Sequence, residues 1–141
     1  MSEVHASLSF TLDVSLIQAA WPLFAGEEVE ALEWSFDTHF RQPDLPDWFS
    51  ELLRVYSDAG RLVGHGVFFS LFSGRWLPEQ AAWLQELRDL TRYLRFDHIS
   101  EHFGFLTGAD FHKGAPLSVP YNPHSLAIGR DRLTRIADAC G

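Results

Sequence analysis

The sequence predicts an α/β fold of four βα units with parallel strands, half of an eightfold (β/α)8 TIM barrel, as a single half-barrel domain over residues 1–141. Three observations point there. Strand-like runs begin near residues 8, 29, 62 and 96, each followed by an amphipathic stretch; alternation at about 30-residue intervals implies parallel βαβ units with right-handed crossovers. The third run is apolar almost throughout, as a strand covered on both faces should be. Four such units amount to half of a barrel that typically takes ~250 residues.

Residues 8–14 (LSFTLDV) alternate apolar with polar or small side chains and form the first predicted strand. Ser15 is the expected cap of a helix bearing Leu16, Ile17, Ala19, Ala20, Leu23 and Phe24, kinked by Pro22 and ended by Gly26. Residues 29–36 (VEALEWSF) are the second strand, which leaves Asp37 near its carboxyl end. A helix over 46–59 follows, with Trp48, Leu52, Val55 and Tyr56 as its packed stripe and Gly60 as its stop. The third strand, 62–72, holds His65 between Gly64 and Gly66, glycines that let other groups approach the backbone closely. Pro78 opens the third helix in the first-turn position proline favours, with Trp83, Leu84, Leu87, Leu90, Thr91 and Leu94 inward. The fourth strand is 96–103, followed by a Gly/Pro-rich loop and a last helix from Pro123 to about Ala139, with Leu126, Ile128, Leu133, Ile136 and Ala137 inward. The five tryptophans are expected in packing.

Composition narrows the function classes. Eleven Lys and Arg against nineteen Asp and Glu give a net charge of -8 with no basic run, which argues against a nucleic-acid partner. The single cysteine, Cys140, cannot form an internal disulfide, so the fold does not depend on an oxidising compartment. The start, MSEVHASLSF, lacks the features of a signal peptide, and no run approaches the ~18 apolar residues of a membrane span. The expectation is a cytoplasmic protein without a membrane partner.

The chemistry concentrates in residues 97–121, DHISEHFGFLTGADFHKGAPLSVPY, which bring His98, His102 and His112 together with Glu101 and Asp110. Imidazoles and carboxylates where a strand meets a loop suit a divalent metal, with Zn, Fe and Mn all acceptable to these donors. Asp37, His65, Glu101 and His102 fall at or near carboxyl ends of predicted strands, the face where barrels and open sheets build their sites. On a regular strand Glu101 and His102 point to opposite faces, so both reach one ion only if the strand ends or bulges there. Two histidines and a carboxylate suit non-haem Fe(II) oxygen chemistry, and equally Zn or Mn hydrolases. The structural alternative for His65 is a buried ring bonded to a backbone carbonyl.

The segments LVGHGVFFSLFSG, HISEHFGF, FHKGAPLSVPYNPHSL and RLTRIADACG, in that order, resemble the first half of the multinuclear non-haem iron-dependent oxidases over roughly residues 29–141. The resemblance implies a xylose-isomerase-like barrel holding two or three irons. It also implies oxidative modification of cysteine-containing ribosomal peptides, with a partner protein presenting the substrate. Carried over, His65 matches the family's HGV histidine and Glu101 and His102 its acid–histidine pair, while Asp37 falls near the acidic residue after the second strand, which makes these four the candidate metal ligands; His98 and His112 are secondary candidates from the residue pattern. The chain departs from the pattern in two places: SFTLDVSL has no counterpart of the family's early histidine, and the half that supplies further ligands is expected to be missing. The expectation is a half barrel, active once completed by a second copy in a homodimer or by a complementary half-barrel chain. Residues 8–14 and 96–103 would then be edge strands that invite pairing. Two alternatives stand beside it: a divalent-metal isomerase or hydrolase on the same barrel, and a non-catalytic half-barrel binding or assembly module.

Overall fold

Four strands, β1 (Ser7–Phe10), β2 (Ala31–Trp34), β3 (Leu62–Gly66) and β4 (His98–Glu101), form a parallel sheet in chain order. Helices α1 (Val14–Ala25), α2 (Asp47–Asp58) and α3 (Pro78–Leu90) lie between them in sequence, and α4 (Pro123–Cys140) follows. The α/β class and the βα order are as the sequence predicts. The computed structural model describes residues 4–41, 44–107 and 112–141. The chain divides into two units, Met1–His65 with Leu94–Ser100, and Gly66–Tyr93 with Glu101–Gly141. Among the described residues no helix is long and apolar enough to cross a membrane.

The first unit carries the sheet. β1 is shorter than predicted because Asp13, not Ser15, caps α1: its Oδ1 accepts the Leu16 amide at 2.9 Å and also the Ser15 hydroxyl. That capture draws Val14 into the helix. The Ser15 hydroxyl first, and then the Leu16 amide, hold the Asp13 carboxyl below its ordinary range. β2 runs beside β1 with Ser7 opposite Ala31 and Phe10 opposite Trp34. A short 3-10 turn, Phe36–Arg41, follows β2.

α2 packs on β2 through Phe49, Leu53 and Ser57, one residue later than the expected stripe. Trp48 and Val55 are instead exposed at 49% and 56%. Two apolar stripes lie side by side on this helix, and spacing alone does not rank them; the Phe49 ring is the one that meets Phe10 and Trp34, at 5.9 and 6.0 Å between centroids. The other stripe, with Trp21, Ile17 and Phe24 of α1, lines an apolar groove of about 490 Å³. Trp34 and Trp83 are therefore core residues as expected, whereas Trp21 is 68% exposed. Buried Ser57 accepts the Arg95 amide on its hydroxyl oxygen at 2.7 Å, so neither group is left unsatisfied. Gly60, at φ +66°, ends α2 in the left-handed region.

The second unit begins where β3 stops. The apolar run predicted as strand to residue 72 leaves the sheet after Gly66, and Ser70 adopts a positive φ of 58°. Phe69 and Leu71 remain buried, so the run marks core rather than strand. Gln80 at the start of α3 fixes this segment: its side-chain oxygen accepts the Leu77 amide at 3.2 Å and its amide donates to the Phe69 carbonyl at 3.3 Å. Residues expected in a loop form an antiparallel pair, β5 (Phe105–Thr107) with β6 (His112–Leu117). The Ser70 hydroxyl oxygen accepts the Leu106 amide at 2.8 Å and ties the pair to that segment.

α4 is capped by Asn122, whose side chain accepts the His124 and Ser125 amides at 3.0 Å each. Its buried face is Gly129, Arg132, Ile136 and Ala139, while Leu126 and Leu133, expected inward, are 58% and 52% exposed. A Cβ at Gly129 would stand 2.5 Å from the Phe72 ring, so only glycine admits that contact. Arg132 takes a place apolar patterning reserves for leucine: its guanidinium lies 4.6 Å from the Trp76 centroid and pairs with Asp131.

Candidate strand-end site

Each candidate ligand has its own setting. Asp37 is the second residue of the 3-10 turn that leaves β2 and is buried at 1% exposure beside the fully buried Phe36. His65, next to last in β3, places Nδ1 2.8 Å from the Ser100 hydroxyl oxygen of β4. That hydroxyl also lies 3.5 Å from the Gly64 carbonyl. The direction of the shorter bond follows the ring's tautomer: Nδ1–H donates to the hydroxyl oxygen, or the hydroxyl donates to an unprotonated Nδ1. A serine hydroxyl is thus one partner of the His65 ring, an outer contact of the kind that orients ligating histidines.

Gly64 brings β3 into tight contact with its surroundings in the first unit: a Cβ there would meet Ile99, Phe96 and Phe36 at 3.0, 3.1 and 3.2 Å. Gly66, in the second unit, does something more specific. A Cβ on it would fall 1.7 Å from Oε1 and 2.5 Å from Cδ of Glu101, so the Glu101 carboxylate occupies the space a side chain at 66 would need. Glu101 is the last residue of β4, and its Oε2 accepts the His102 amide at 3.2 Å. The strand therefore ends between Glu101 and His102, the condition under which the two side chains escape strict alternation.

The secondary candidates fare differently. His98 opens β4 at the surface, paired through Nδ1 with Asp97 at 2.8 Å, both about three-fifths exposed. It belongs to a solvated pair. His112 contributes backbone to β6, and Asp110 lies outside the described residues. In neither unit, among the described residues, do three or more His, Cys, Asp or Glu side chains gather as a metal would need. Glu101 and His102, side by side where β4 ends, are a partial ligand set. Sequence reading does not single out Ser100; its signal is its place in HISEHFGF, two residues before His102. No family model, curated protein or solved structure matches the chain.

Proposed function

We propose that the chain is the N-terminal half of a cytoplasmic iron-dependent oxidase barrel that modifies cysteine-containing ribosomal peptides, with Asp37, His65, Glu101 and His102 as its share of the ligands. The observation that carries the reading is the Gly66 notch. The glycine after His65 leaves room for the carboxylate of Glu101, so the glycine of one segment and the glutamate of the other depend on each other sterically. Support also comes from the order of parallel strands, which puts an acid or imidazole at or just past the carboxyl ends of β2, β3 and β4. Bound iron would supply oxygen activation; this chain's residues would supply donors, and Ser100 would orient the His65 ring.

Anaerobic dialysis against Fe(II), Zn(II) or Mn(II), followed by elemental mass spectrometry, tests the reading. The wild-type chain should retain metal weakly, because affinity depends on a preformed ligand set. His65→Ala and Glu101→Ala should lower retention at least about tenfold, and Ser100→Ala, which removes an outer contact, about tenfold. Equal retention by all four proteins, or none in any, would overturn it.

The same reading requires something to complete the barrel. Closure by a second copy predicts a mass near twice 16.0 kDa in sizing with light scattering. A monodisperse monomer would leave only a complementary chain in that role.

A further inference from the structure

A pocket of about 280 Å³ lies within the first unit, at the carboxyl ends of β1 and β2, and none of the ligands proposed above lines it. Open α/β sheets bind ligands at this end of their strands. Its walls come from three short segments: Thr11, Leu12 and Asp13 between β1 and α1, Thr38 and His39 of the 3-10 turn, and Asp44 and Leu45 before α2, with Trp34 closing it.

Its chemistry is one-sided. Asp13 and Asp44 bring two carboxylates, and among the described lining residues there is no lysine or arginine. The Thr38 hydroxyl spends its hydrogen on the Ser35 carbonyl at 2.7 Å, which leaves its oxygen lone pairs as acceptors. The positive end of α1 would ordinarily attract an anion, but Asp13 already occupies that place as the cap. An anionic ligand would meet two carboxylates instead. A metal ion is disfavoured for a different reason: Asp13, His39 and Asp44 do not converge closely enough to hold one.

The remaining surface suits an organic body. The Trp34 and His39 rings stand 6.0 Å apart at 45°, a tilted aromatic corner, and Leu12 and Leu45 add apolar wall. Aromatic faces attract cations as well as methylene groups. The volume equals about nine waters at ~30 Å³ each, room for a short chain with one charged head.

We propose that this pocket binds a small organic cation, an alkyl amine or alkyl guanidine, with its head between Asp13 and Asp44 and its carbon chain against Trp34, Leu12 and Leu45. The site is independent of the metal reading, and its success or failure leaves that reading where it stands.

An amide-resolved NMR titration of the full chain tests it with three isosteric probes: n-butylammonium, butyramide and butyrate. The cation should produce saturable shifts at residues 11–13, 38–39 and 44–45, while the neutral amide and the anion should not. Asp44→Asn, with an otherwise unchanged spectrum, should weaken butylammonium about tenfold, the loss of one charge-assisted contact. Asp44→Glu should keep most of the affinity. No saturable shift, equal response to butyramide, or full affinity in Asp44→Asn would each overturn the proposal.

Discussion

Replacing Phe49 with alanine should lower the unfolding free energy by about 3–5 kcal/mol, the usual cost of removing a buried phenyl ring. Phe49 is fully buried, and its ring meets Phe10 at 5.9 Å, Trp34 at 6.0 Å and Trp48 at 5.5 Å. Its removal empties a cavity between α2 and the sheet, where neighbours held by the β1–β2 register cannot collapse freely. Urea denaturation followed by far-ultraviolet circular dichroism measures the loss, with an unchanged slope showing that the denatured state is unaffected. Trp48→Ala is the matched control. Trp48 is the larger side chain but is 49% exposed, so its loss should cost clearly less. Equal costs would mean that the stripe read from spacing, Trp48 with Leu52, Val55 and Tyr56, is the packed one after all.

Gly66→Ala should destabilise the chain by about 1–3 kcal/mol, in the range of small-to-large changes at filled positions. The added methyl carbon would sit 1.7 Å from Oε1 of Glu101, so the carboxylate must leave. Because the obstructing group is the end of a flexible side chain, the cost is set by finding that carboxylate a new place rather than by moving backbone. The double variant Gly66→Ala, Glu101→Ala should therefore recover most of the loss, and the cycle of four proteins isolates the coupling. Gly74→Ala serves as the neutral reference, since nothing lies within 4 Å of a Cβ there. If the double variant is as unstable as the sum of the singles, the notch does not hold the carboxylate.

The α/β class was readable because each predicted strand and helix keeps its own period and the breakers fall between them. Pro78, Gly60 and Pro123 stand where helices begin or end. Most of what escaped depends on long-range partners. α4 turns Arg132 inward toward the Trp76 ring, and no local pattern announces a ring more than fifty residues earlier in the chain. The cap escaped for a local reason: the Asp13 carboxylate takes both the Leu16 amide and the Ser15 hydroxyl itself. The β5–β6 pair hides in a segment rich in glycine and proline, where a register shift between Phe105 and Thr107 makes alternation irregular. At the site, the two glycines around His65 were legible as places of close approach, but not that Gly66 makes room for Glu101 and Gly64 for Ile99 and Phe96. Ser100 was silent because a serine beside two candidate ligands looks like spacing until its hydroxyl is seen against the ring.

The consecutive order of the sheet has a consequence for synthesis. No strand is inserted between two earlier ones, since β1 through β4 are added side by side in the order the ribosome releases them. The pairing of Ser7–Phe10 with Ala31–Trp34 is complete in sequence before Leu62 is translated, so each emerging strand finds its neighbour already made. N-terminal segments can thus assemble first during translation. At every stage the last strand made offers an unpaired edge, and the nascent chain carries its own template for the next strand.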